Sequence, residues 1–154
     1  MRLWHYSMLP YLPKAQLVSQ WRECVAIAKS IHEKGTPNHI LVNCIMDYPI
    51  SEFNTYCNHV LGAMLKRGYN VSSESIEKLE KYVGFVVDSG DRAKSTHNGI
   101  FSGWHDMAYY KICMYNLYEK WYYAKGKSAL TVKEWERLKD GYVINMGVGF
   151  KVYA

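Results

Sequence analysis

Apolar residues recur at spacings of three and four along most of this chain. From Lys14 to about Ile31, Leu17, Trp21, Cys24, Val25 and Ala28 fall at helical intervals, which predicts a first long helix. The charged turn His32-Glu33-Lys34, followed by Gly35 and Pro37, closes it. Ahead of this helix, Pro10 and Pro13 frame a short extended lead-in. Behind it, Asn38 to Tyr48 is apolar enough for a buried short helix or an ordered loop. Ser51 can cap a second helix running to Arg67. Phe53, Tyr56, Cys57, Val60, Leu61, Met64 and Leu65 share its broad face, and Gly68 stands just past its end.

Ser72 and Ser73 open a shorter helix over Glu74 to Tyr82, and the turn signals Asp88-Ser89-Gly90-Asp91-Arg92 and His97-Asn98-Gly99 predict mostly loop between 84 and 103. Helical spacing returns from Trp104 to about Ala124 through Met107, Ile112, Tyr115, Tyr118, Trp121 and Tyr122, with Lys125-Gly126-Lys127 as its stop. Thr131 with Glu134 makes a capping box for a last short helix to Leu138. From Asp140 onward, Gly141, Gly147 and Gly149 lie among Val, Ile, Phe and Tyr, and extended chain packed on the body is expected. The pattern as a whole predicts an all-α, compact single domain over 1–154: three main helices, short helices and an extended C-terminal tail. No repeat, linker or low-complexity tract interrupts it.

Composition narrows the class. At 154 residues one domain removes roughly 70 % of its unfolded surface from water. With 49 % apolar and 21 % charged residues the chain is not a disordered one. A net charge of +5 favours polyanionic partners. The cysteines at 24, 44, 57 and 113 form no C-x-x-C pair, so they read as buried, reduced thiols instead of a zinc site. No apolar run has the length of a signal peptide or a membrane span, and a soluble, cytoplasmic protein with no membrane partner is expected.

The chemical landmark is Gln20-Trp21-Arg22-Glu23. A carboxylate beside an arginine, on a helix that buries Trp21 and Cys24, can sit in a confined basic site. Taken alone, the pair also reads as a solvated helix face. A metal hydrolase built on His5, His97 and His105 is a weaker alternative, because these histidines lack compact ligand spacing.

Several landmarks in order resemble the phage-type endonuclease V, or pyrimidine-dimer DNA glycosylase, family. The separation between the chain start and Arg22-Glu23 is nearly that of the family. Leu65-Lys66-Arg67-Gly68-Tyr69-Asn70 is similar to its Leu-Lys-Arg-Gly-Phe-Asn, and Gly149-Phe150-Lys151-Val152-Tyr153-Ala154 is similar to its Gly-Lys-Ala-Ile-Tyr-Ala terminus. His105-Asp106 and Glu119-Lys120 are shorter echoes.

The resemblance implies a helical, monomeric enzyme that removes a damaged pyrimidine from double-stranded DNA and then cuts the abasic strand, in a bacterial nucleoid or phage-infected cell. The terminal α-amine would be the nucleophile. Such amines titrate near about 7.7 to 8.0, so a substantial neutral fraction exists at neutral pH. The terminal residue of the family is exposed by removal of Met, but Arg2 here is too large for that processing, which places the nucleophile on Met1. Glu23 would stabilise the cationic sugar-like transition state and move protons. No metal or organic cofactor enters.

The resemblance makes Arg22 a phosphate contact or a steering group for Glu23, and Arg2 a phosphate contact beside the scissile sugar. Gln16 falls where the family has a His near the site. Val25-Ala26 replaces a further Arg, for which Lys29 can compensate, and Lys120 is another phosphate contact. The aromatic cluster that the family carries before its last glycine is replaced by Ile144-Asn145-Met146-Gly147-Val148. Stacking rings would then come from Trp121, Tyr122 and Tyr123, with Lys125 and Lys127 beside them to attract phosphate, unless that stripe is core. A noncatalytic DNA-binding relative, with the Met1 terminus blocked or misplaced, is the alternative function.

Overall fold

The computed structural model describes residues 1–88 and 99–152. Five α-helices run through these residues: α1 Lys14–Lys34, α2 Ile50–Lys66, α3 Ser73–Val83, α4 Met107–Tyr122 and α5 Val132–Met146. Two short 3-10 helices, Tyr6–Tyr11 and Asn43–Asp47, complete the helical content, and no strand occurs among the described residues. The fold is all-α, as the spacing predicts. Most of the predicted turn residues, His97 included, fall in 89–98 and lie outside the described residues, as do Tyr153 and Ala154.

α1 packs on α2 and α3, α4 packs on α5, and the N-terminal 3-10 helix touches both α2 and α5. The continuous core between them takes Leu17, Cys24 and Ile27 from α1, Phe53, Tyr56 and Val60 from α2, and Tyr110, Met114 and Leu117 from α4. α1 ends where Gly35 adopts the left-handed conformation (φ 75°) and returns its N–H to the Ile31 carbonyl. Among the described residues all four thiols are free, three of them buried.

Some local expectations change. The lead-in over Pro10 is helical, because a 3-10 turn accepts a proline whose missing N–H costs no bond there. Ser51 does not cap α2; the helix starts at Ile50 behind Pro49, and the Ser51 carbonyl accepts from the Thr55 hydroxyl. α4 starts later than expected, at Met107, with Asp106 accepting from the Tyr109 N–H as its cap. It also buries a different face. Tyr110, Cys113, Met114 and Leu117 point inward, whereas Met107, Ile112 and Tyr122 are exposed.

α5 carries the expected capping box, with Glu134 N–H donating to Thr131 Oγ1 at 3.1 Å and the Glu134 carboxylate accepting from the Thr131 N–H at 2.9 Å. The helix does not stop at Leu138 but continues through Gly141 to Met146. Gly141 is there for closeness, not for a turn: the Tyr11 ring lies against its bare Cα, in the space a Cβ would take. The extended tail begins only after Gly147, and Tyr115 pins it by donating to the Val152 carbonyl at 2.7 Å.

Candidate active site

The first residues of the chain are threaded into the fold. Leu3 is fully buried and its carbonyl accepts from the Tyr109 hydroxyl of α4 at 2.7 Å. The Trp4 carbonyl accepts from the Tyr56 hydroxyl of α2 at 2.6 Å, and the Trp4 N–H donates to Gln20 of α1 at 2.8 Å. Three helices therefore grip two successive residues, where a chain end would otherwise fray. Downstream, the Arg67 guanidinium donates to the carbonyls of Leu9, Pro10 and Leu12, fixing the end of the 3-10 helix. Arg67 of the Leu-Lys-Arg-Gly run thus holds the N-terminal segment in place, and Gly68 ends α2 behind it with a left-handed backbone.

Gln20 is the junction of this arrangement. Its side chain is fully buried. Nε2 donates to the Arg2 carbonyl at 3.0 Å and to Glu23 Oε2 at 3.1 Å, while Oε1 accepts from Trp4 N–H and from the Tyr56 hydroxyl at 3.0 Å. All four hydrogen-bonding positions of the amide are used.

A cleft of about 610 Å³ opens at the end of the thread. Met1, Arg2 and Trp4 enter it from the N-terminal segment, Gln16 and Glu23 from α1, and Lys120 from α4. The chain after α4 folds back, with Leu130 N–H donating to the Lys120 carbonyl, and so brings Lys127 and Ser128 to the same wall.

Glu23 is the carboxylate of this cleft with a perturbed acidity. Burial holds its pKa above the ordinary value. The α-ammonium of Met1 pulls against that rise, as do the Arg2 N–H, His39 and the Gln20 amide. A carboxyl so balanced takes up a proton more readily than an exposed one yet remains a counter-charge for a cation at the terminus. The Arg2 guanidinium lies 5.9 Å from the ring centroids of both Trp4 and Tyr109, which hold it at the cleft wall. Gln16 Oε1 is buried without a hydrogen-bond partner.

The structure thus brings together Met1, Arg2, Gln16, Glu23 and Lys120 of the residues expected from sequence. Arg22 and Lys29 are exposed on α1 and do not line the cleft. Trp121 is half-buried against the core, and Tyr123 is 68 % exposed, stacked edge-on against Tyr118 and Tyr122. Lys127, expected beside the aromatic stripe, reaches the cleft wall. Gln20 opens the landmark that ends at Glu23, yet the sequence gives it no role of its own, because a helical glutamine reads as an exposed amide, and it gives none to the 38–42 loop.

Behind the thread lies a second polar cluster. His5 donates from Nε2 to the His105 carbonyl at 3.0 Å, and its Nδ1 accepts from Ser7 N–H. His105 Nδ1 accepts from Tyr6 N–H at 3.1 Å. Both rings are buried and neutral: burial lowers His5 to about 4 and His105 to about 2. They lock the backbone around residues 5 to 7, and neither lines the cleft.

No curated protein and no solved structure matches the chain. A family model described as pyrimidine dimer DNA glycosylase matches residues 1–77, the half that holds the N-terminal thread, Gln16, Gln20, Glu23 and the Arg67 clamp. With that match over half its length, and with its N-terminus and Glu23 meeting in one cleft, the chain belongs to the pyrimidine dimer DNA glycosylase family.

Proposed function

We propose that the protein is a bifunctional DNA glycosylase and abasic-site lyase that acts on damaged pyrimidines in duplex DNA, UV photodimers first, with the α-amine of Met1 as nucleophile. The observation that supports this reading most is the meeting of Met1 and Glu23 in one basic cleft, with the charge of the terminus felt at the carboxylate.

In this mechanism the amine lone pair attacks the sugar C1′, and the glycosidic bond breaks with its electrons leaving on the base, which takes up a proton. The attached nitrogen gives up one proton, the ring oxygen takes one up as the C1′–O bond breaks and the sugar opens, and a protonated imine with one N–H remains between Met1 and C1′. That cation acidifies C2′. Removal of a C2′ proton expels the 3′ phosphate oxygen and cuts the strand. Glu23 faces positive charge through every step, and its raised pKa suits it to pass protons to the ring oxygen and from C2′. Gln20 holds the thread and the carboxylate in register.

Arg2 and Lys120, with Lys127, would take phosphates on either side of the flipped nucleotide. Gln16 Oε1 offers an acceptor to the substrate. Arg22 and Lys29, on the exposed face of α1, would serve phosphates further along the duplex, and Tyr123 would stack at the rim.

The test is reductive trapping. The protein is incubated with dimer-containing duplex and sodium borohydride, and the adduct is mapped by mass spectrometry. A covalent adduct on the Met1 amine is expected. Strand cutting without an adduct, or an adduct on a lysine, overturns the assignment, and tight binding with neither identifies a noncatalytic relative.

A further inference from the structure

The loop between α1 and the second 3-10 helix carries large aliphatic side chains that the fold does not bury. Ile40 is 87 % exposed and Leu41 46 % exposed, while Pro37 and Val42 on either side are buried. The loop is held by polar bonds instead. Asn38 takes a left-handed conformation (φ 58°), its N–H donating to Thr36 Oγ1 at 3.2 Å. His39 N–H donates to Asn43 Oδ1 at 2.8 Å, and Leu41 N–H donates to His39 Nδ1 at 3.2 Å. The His39 carbonyl accepts from both Val42 and Asn43, and Ser30 ties the Thr36 carbonyl back to α1 at 2.7 Å.

A single exposed isoleucine needs no explanation. Here two adjacent aliphatic residues sit at the apex of a loop braced by its own polar bonds, and one of them borders the cleft. Leu41 lines the same cleft as Met1 and Glu23. The other walls of the cleft carry Arg2, Lys120 and Lys127, the charges a phosphate backbone would seek, against one further carboxylate, Glu134, which is engaged in the cap of α5.

On the reading that this cleft binds duplex DNA, we propose that residues 38–42 form a wedge, with Ile40 inserted into the base stack beside the damaged pyrimidine and Leu41 closing the gap at the cleft wall. Moving a nucleotide out of a duplex leaves a hole lined by apolar base faces. An aliphatic side chain on a stiff support fills that hole, opposes its collapse and bends the duplex around it. A polar or flexible apex would lose its own hydration or order on entry and would hold the gap poorly. The paired polar bonds of the loop place the apolar tip without asking the fold to bury it.

The test compares the parent with Ile40→Ser, Ile40→Leu and Leu41→Ala at one fixed salt concentration. Two probes are used: a duplex with a thymine dimer flanked by 2-aminopurine, and a single-stranded oligomer with an abasic site. Ile40 is exposed, so Ile40→Ser should melt at the parental temperature. It should lose most of the 2-aminopurine fluorescence rise on binding, and excision from the duplex should fall roughly tenfold or more, while cutting of the single-stranded abasic site stays within about twofold. Leu41→Ala should show a smaller loss, and Ile40→Leu should restore both duplex signals. Parental fluorescence and duplex excision in Ile40→Ser would overturn the wedge. A parent that cuts neither probe removes the glycosylase reading, and the fluorescence comparison then still decides whether the loop opens the duplex.

Discussion

Gln20 and Glu23 stand one helical turn apart on α1, and the amide of the first donates to the carboxylate of the second at 3.1 Å while holding the Arg2 carbonyl at 3.0 Å. The reach between terminus and carboxylate is therefore set by one side chain whose remaining bonds go to Trp4 and Tyr56. Removing it should affect chemistry and folding together, and the two can be separated.

Gln20→Ala leaves the Trp4 N–H and Arg2 carbonyl unpaired in a buried place, at a cost of about 1–3 kcal/mol for each orphaned group. Chemical denaturation should show that loss. Gln20→Glu keeps the acceptor for Trp4 and Tyr56 but takes a lowering donor away from Glu23. Glu23 should then bind its proton at higher pH, and the acid limb of the pH–rate profile should move upward with little change in KM. An acid limb that stays in place would detach Glu23 from Gln20.

Glu23→Gln preserves shape and removes charge. Affinity for dimer-containing duplex should equal or exceed that of the parent, since a negative charge near phosphate is lost. Excision and abasic-site cutting should fall by orders of magnitude, because the cationic intermediate loses its counter-charge. Single-turnover cutting near the parental rate would return Glu23 to a surface role.

The histidine pair makes stability depend on pH. His5 and His105 have folded-state values of about 4 and about 2, both below the 6.5 of an unfolded histidine, so the unfolded chain takes up protons first as pH falls. Stability present above about pH 6.5 should be lost progressively toward pH 4, by an amount on the order of a few kcal/mol. Glu23 opposes this, since its raised value stabilises the folded chain on protonation. Urea midpoints measured from about pH 7 to pH 4.5 should fall, and His5→Asn should flatten the slope. A flat parental curve would mean that the rings are hydrated.

At the end of α4, Trp121 and Tyr123 should separate. Trp121→Ala should destabilise the fold by about 2–4 kcal/mol, as a packed ring does. Tyr123→Ala should leave the melting temperature unchanged and reduce discrimination between dimer-containing and undamaged duplex by ~1–3 kcal/mol, sparing abasic-site cutting. Equal discrimination in the variant and the parent would leave Tyr123 as plain surface.

The sequence was most legible where local chemistry decides. The Thr131–Glu134 box, the Gly35 and Gly68 stops and the inner face of α2, save for Leu65, which is exposed, follow from spacing and capping alone. It failed where a distant contact decides. α4 is apolar nearly all round, so spacing could not choose Tyr110 and Met114 over Met107 and Ile112 as the buried side. Gly141 looks like a stop but is a seat for Tyr11, and only the tertiary contact distinguishes the two. Met1, Arg2 and Glu23 could be found because their spacing resembles that of a family. Gln20 stands in the same landmark as Glu23, but its role could not be read there, because its worth lies in four partners spread over the N-terminal thread, α1 and α2.

The grip on the thread also sets an order of events during synthesis. Leu3 is held by Tyr109, Tyr6 by His105, Ser7 by Asn145 and Pro10 by Arg137. A ribosome emits the thread first, then Gln20 and Tyr56, and only later these partners. The nascent chain therefore carries its thread without its partners at and beyond residue 105 until those segments have been made, and closure of these long loops, not helix formation, should limit the rate at which the thread seats fully. Loss of α5 would take its bonds to Ser7 and Pro10 away without altering a single residue of the N-terminal thread.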